Sequence, residues 1–253
     1  MFAVLLAAAA RGGDSPFCVG EKLSYRIYWG PFEAGQASLE VAGIEAVNGR
    51  DCYHLIAKAQ TSGLIDMLFH VDNTLESWLD VKELRTLRYR QNRIEGKRPK
   101  QSETRFDYAK GSFTLTNYLA RTGCTLPLGK SVQDIVSAVY YVRSQSLQLK
   151  QSLTFLVNAG DETRLVRVVP DQQKKIWTNP LGEVPAMRIE PNPTLTIVAA
   201  NKGRMWVWFS DDAHKVPLVV ISKMPIGSAR FQLTEVKAAD PVLAKRLKIV
   251  SKN

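Results

Sequence analysis

The chain has 253 residues, of which 45% are apolar and 23% charged, with 16 Gly, 12 Pro and 3 Cys. That balance excludes disordered, collagen-like and disulfide-dense chains, and the length suits one large β-type domain or two small ones. The formal charge of +10 favours anionic partners and says nothing about fold. A chain of this size buries roughly 70–75% of its unfolded surface, so its core requires neither metal nor disulfide.

Residues 1–13 form a signal-like segment. The apolar run MFAVLLAAAA ends in small residues, with Ala8-x-Ala10 as a cleavage option. This predicts an exported, periplasmic protein; an uncleaved apolar tail is the plain alternative. The run is too short for a bilayer, which needs ~20 apolar residues, and no transmembrane segment is expected elsewhere. Cys18, Cys52 and Cys124 contain no CxxC pair. They fit either one disulfide, such as Cys18–Cys52, or three small buried apolar residues.

Strand signals then dominate. Residues 22–29 alternate, with Leu23, Tyr25, Ile27 and Trp29 on one face. Residues 34–47 and 52–60 form a hairpin around Asn48-Gly49, the dipeptide of a type I′ turn. The apolar piece 63–71 reads as one helical turn or a buried corner. Strands follow at 73–80, 84–95, 101–108 and 112–119, and 120–130 reads as irregular. Residues 131–145 form the one convincing helix, with Ser131 as N-cap and Asp134 at N3. Val132, Ile135, Val136, Val139 and Tyr140 make its apolar stripe. Strands resume at 152–158, 162–169, 173–178, 184–190, 194–199, 203–209, 216–222 and 228–236. The expected fold is mainly β: one large curved antiparallel sheet, or a partly open barrel, wrapping the central helix 131–145. A single β-rich domain spans 18–237, and 238–253 form a tail or short helix. A two-domain split near 120–130 is the alternative.

Several segments carry a family resemblance: YRIYWGPFEAG at 25–35, ESWLD at 76–80, QDIVSAVYYVR at 133–143, PLGEVPAMRIEPN at 180–192 and WVWFSDDAHKVPLVVISKMPIGSARFQL at 206–233. Together they resemble the bacterial exported family "domain of unknown function 3108" from about Cys18 to Val236. The resemblance implies an envelope location and a mostly β architecture. It implies no activity, substrate or catalytic residue.

No motif specifies a reaction, and no catalytic residue, metal site or cofactor is expected. The stretch from Gly123 to Ser131 lacks the spacing of a phosphate-binding loop. His54 with Cys52, and His214 with Asp211 and Asp212, fall short of a catalytic zinc set; Asp211-Asp212 reads as a hairpin turn. The G-x-S-x-G and S-x-x-K motifs are absent. Glu76 and Asp80 share a strand face about 13 Å apart, beyond the ~5–9.5 Å of glycosidase carboxylate pairs.

Charge is more informative. Between Lys82 and Arg105 stand nine cations against three acids. Arg88 and Arg90 share one face and are candidate contacts for an anionic lipid, lipopolysaccharide or glycan; an edge protected by charge is the plain reading. Tyr140, Trp206 and Trp208 are candidate walls of an aromatic cavity between sheet and helix, with core packing as the plain reading. Nucleic acid is not expected as a partner. The leading expectation is a non-enzymatic envelope protein that binds or chaperones an amphipathic or anionic component. An envelope-protein interaction factor comes second, and a cell-wall glycan hydrolase third.

Overall fold

The computed structural model describes residues 15–160, 162–179, 181–192, 203–224 and 227–238. The signal-like segment, the expected strand 194–199 and nearly all of the C-terminal tail lie outside the described residues. The first run of elements comprises Lys22–Trp29 (β1), Phe32–Val47 (β2), Arg50–Thr61 (β3), the helix Gly63–Leu68 (α1), Val71–Asp80 (β4), Thr86–Glu95 (β5), Arg98–Asp107 (β6), Ser112–Asn117 (β7) and Thr122–Pro127 (β8). The second comprises Val132–Gln133 (β9), the helix Ile135–Ser144 (α2), Leu153–Asn158 (β10), Thr163–Thr178 (β11), Gly182–Asn192 (β12), Arg204–Ser210 (β13), Pro217–Met224 (β14) and Gly227–Lys237 (β15).

Each run is a meander, and the two join where β1 pairs antiparallel with β15. The result is one open fifteen-stranded sheet with β8 and β9 at its edges. Among the described pairings only the short β9–β10 contact is parallel. Local sequence explains the meander. Asn48 and Gly49 take φ of 51° and 75°, as a type I′ turn demands. Alternation in β1 buries Leu23, Tyr25 and Ile27 on one face, each side chain stabilising by roughly 1.5–3 kcal/mol.

Three boundaries differ from expectation. The interval 120–130 contains β8, which pairs with β7 from Ser112↔Pro127 to Asn117↔Thr122; at a sheet edge Gly123 and Pro127 are tolerated. The segments 162–169 and 173–178 form one strand, β11, because Pro170 sits at a register shift against β12. Helix α2 begins four residues late. Asp134, not Ser131, is the N-cap: its Oδ1 accepts from Val136 N at 2.7 Å and Ser137 N at 3.0 Å. The Ser137 hydroxyl returns to Asp134 N at 2.8 Å, completing a capping box. Val132 and Gln133 instead pair with β10.

Helix α2 packs on β3, β4, β9 and β10. Val136 and Tyr140 enter the larger apolar cluster, while Ala138 and Val142 enter a second one with Phe155 and Phe209. A helix buried on several sides fits its run of apolar residues. Asp134 also accepts hydrogen bonds from Ser77 of β4 and Thr86 of β5, which fasten the helix start to the sheet. Arg143, in its last turn, is fully buried against Glu21.

Candidate functional site

The described residues enclose a partly open apolar cavity of about 480 Å³, within the roughly 300–1,000 Å³ of small-molecule sites. Tyr25, Ile27 and Trp29 of β1 form one wall; Ile135, Ala138, Val139 and Val142 of α2 form another. Phe155 of β10 and Met205, Val207 and Phe209 of β13 close the far side. The space exists because small residues meet there: Ala34, Ala37, Ala59, Ala138 and Ala229 all face it. Polar groups, including Ser38, Gln60 and Ser222, are a minority of the lining. Such a surface has little to offer water and much to offer a hydrocarbon chain.

At the mouth stands α1, with no buried residue. Ile65, Leu68 and Phe69 contribute to the lining, yet Leu68 is 82% exposed. The helical turn expected in 63–71 forms as α1: Ile65 packs against Ile27, Ala34 and Ala59, whereas Leu64, Met67 and Leu68 project into solvent.

The sequence-predicted residues fall in three places. Tyr140 is buried in the larger cluster, edge-on to Phe17 at 4.9 Å. Desolvation pushes its hydroxyl far above the usual phenol range, and it does not line the cavity. Trp206 and Trp208 alternate with Met205 and Val207 and do not line the cavity: Trp208 is 4% exposed within the larger apolar cluster, and Trp206 is half-buried on the same strand face. There Trp206 Nε1 donates to Glu190 at 3.1 Å, Arg204 lies 4.8 Å over the Trp206 ring, and Lys174 Nζ lies 4.7 Å over Trp208. Both faces of this strand are apolar, so alternation alone could not tell which one lines the cavity. The flanking Arg188, Glu190 and Arg204 were the available signal.

Arg88 and Arg90 do come together, around an acid. Arg88 Nη2 reaches Glu103 Oε2 at 2.6 Å and Arg90 Nη2 reaches it at 3.0 Å, with Arg105 Nε on the other oxygen at 2.6 Å. Burial pushes the Glu103 carboxyl up, but hydrogen bonds from Arg88 and Arg105 outweigh it and hold the group below the usual glutamate value. Arg88 also stacks 4.4 Å over Trp78, whose other neighbour is the parallel His54 ring at 4.6 Å. The His54 ring nitrogens contact Glu45 at 2.9 Å and Glu76 at 3.1 Å.

Among the described residues no three His, Cys, Asp or Glu side chains converge as a metal set. Cys52 is buried with Trp78 and Leu87, and desolvation followed by the Asp80 charge pushes its thiol up to about 11. Asp212 shapes the β13–β14 turn, its Oδ1 accepting from His214 N at 2.9 Å and Lys215 N at 3.0 Å. Sequence reasoning missed the five alanines and the α1 tip. A six-residue helix with Leu64, Met67 and Leu68 and only Asp66 as a charged residue was the one legible sign of the tip.

Comparison with solved structures places this architecture among known folds. The beta-barrel-like protein of domain of unknown function DUF1849 from Brucella abortus aligns with a TM-score of 0.59 at 11% identity, covering 88% of this chain and 99% of that one. A Bacteroides fragilis protein described as exported with a YmcC-like fold aligns at 0.31 and 10% identity, covering 88% and 97%. A Parabacteroides distasonis protein described as a lipoprotein aligns at 0.33 and 9% identity, covering 88% and 99%. No curated protein matches the chain. The family model described as "Protein of unknown function (DUF3108)" matches residues 24–234.

Proposed function

The chain belongs to that family, and we propose that it is an exported envelope protein which holds the hydrocarbon part of an amphipathic lipid in the cavity beside α2. The observation that carries this reading is an apolar chamber of about 480 Å³ left unfilled by side chains. The lining offers water few hydrogen-bonding partners, and side chains facing an empty space lack van der Waals contacts on that side. An acyl chain in the chamber recovers about 0.8 kcal/mol for each buried methylene, which supports occupancy by lipid over an empty interior. The apolar start of the chain supports export.

Titration with the fluorescent fatty acid cis-parinaric acid tests the reading. Saturable enhancement at one equivalent, competed by unlabelled fatty acid, is expected. No enhancement with a folded protein overturns it.

A further inference from the structure

A second feature, outside the chamber, concerns how lipid would reach it. Leu64, Met67 and Leu68 of α1 are 77%, 83% and 82% exposed. Phe69 follows at half exposure, and Phe32, the first residue of β2, also projects into solvent. These positions share one end of the sheet. Helix α1 packs on β2, and Ser62 N donates to Ala34 O at 2.8 Å. The turn between β5 and β6 completes the rim: Gly96 N donates to His70 O at 2.7 Å, and the Phe69 ring lies against Gly96. That turn carries the exposed cations Lys97 and Arg98, which have no ion-pair partner among the described residues.

Among the nearby acids, Glu33 pairs with Arg26 at 3.3 Å, Asp66 contacts His70 at 2.8 Å and Asp72 accepts from Gln60 at 3.1 Å, so none is paired with Lys97 or Arg98. The rim is an apolar tip beside two exposed cations, continuous with the cavity through Leu68 and Phe69. Exposed apolar patches mark docking sites. Large side chains flanked by cations match an interface of acyl chains beneath anionic headgroups.

We propose that α1, Phe32 and the Lys97–Arg98 turn form a docking surface for an anionic bilayer, which presents the mouth of the cavity to lipid. The bilayer is favoured over a protein partner because apolar projections and free cations coincide at the mouth of a lipid-sized chamber. The direction of transfer rests on the acyl-binding reading; the docking itself does not.

Co-sedimentation with vesicles tests it, comparing phosphatidylglycerol mixed with phosphatidylcholine against pure phosphatidylcholine. The full chain is expected to partition onto the mixed vesicles and weakly onto the neutral ones. Leu64→Asp with Leu68→Asp should lower partitioning at least tenfold while leaving the thermal midpoint unchanged, since neither side chain is buried. Lys97→Gln with Arg98→Gln should lower it by about thirtyfold on the mixed vesicles only, a factor of about five for each cation.

Wild-type protein that takes up cis-parinaric acid but ignores both vesicles overturns the docking surface and leaves the chamber reading standing. Vesicle binding without fatty-acid uptake does the reverse. Sedimentation velocity showing a dimer that the α1 variants dissociate, with no vesicle binding, also overturns the proposal and makes the patch a self-contact.

Discussion

Arg143 and Glu21 form an ion pair with both side chains wholly out of solvent, Nη1 to Oε1 at 2.6 Å and Nη2 to Oε2 at 2.8 Å. The remaining guanidinium donors reach backbone oxygens, Nε to His214 at 3.0 Å and Nη2 to Pro16 at 2.9 Å. One side chain thus ties the end of α2 to the segment before β1 and to the β13–β14 turn. Removing one member leaves a buried charge uncompensated, which costs about 3–5 kcal/mol. Glu21→Ala should lose that amount in urea unfolding, whereas Glu21→Leu with Arg143→Met should lose much less. Equal losses for the single and double variants would show that packing, not charge, dominates here.

Asp134 gives a prediction with a defined sign in pH. Desolvation raises its carboxyl above the ordinary 3.8, against hydrogen bonds from Ser77, Thr86 and the helix backbone. A carboxyl raised on folding favours the folded state most below the unfolded value, and that contribution is lost as pH rises through the folded value. The stability of wild type minus that of Asp134→Asn should therefore fall as pH rises from about 4. Asp134→Ala, which removes the cap together with the titrating group, should cost about 2 kcal/mol near pH 4 and less as pH rises. A difference curve that is flat or rising would contradict the assignment.

Glu103 behaves in the opposite way. Its carboxyl is held below the ordinary 4.5 despite burial, so its contribution is present above that value and lost as pH falls through the folded one. Arg88→Glu with Arg90→Glu surrounds a carboxylate only 2% exposed with further acids. The expected cost is about 2 kcal/mol, less than for a fully buried pair because Arg90 is 39% exposed. Thermal melts at neutral pH check this; an unchanged midpoint would mean that the arginines are free for a ligand.

Much of the fold was legible because alternation and turn chemistry are local. Asn48-Gly49 fixed a hairpin, and the shared face of Tyr25, Ile27 and Trp29 became a wall of the cavity. Competing local signals misled elsewhere. Ser131 and Asp134 are both good N-caps, and the partners that decide between them, Ser77 and Thr86, are about fifty residues away. Trp206 and Trp208 were plausible lining residues, but register put their neighbours inward. The chamber itself arises from alanines contributed by separate elements, and no sequence period marks the meeting of Ala37, Ala59 and Ala138.

Filling that meeting point is a direct steric test. Ala37→Leu with Ala59→Leu should weaken cis-parinaric acid binding at least tenfold without lowering the thermal midpoint, because filling an apolar void is neutral to stabilising. Retained affinity would place the fatty acid elsewhere on the protein.

Native mass spectrometry of the full chain from a bacterial host reads the central claim most directly. A mass in excess of the polypeptide is predicted, released by organic extraction as an acyl-chain lipid and missing from the Ala37→Leu, Ala59→Leu variant. A bare polypeptide mass, with no lipid in the extract and no uptake of added fatty acid, would contradict it.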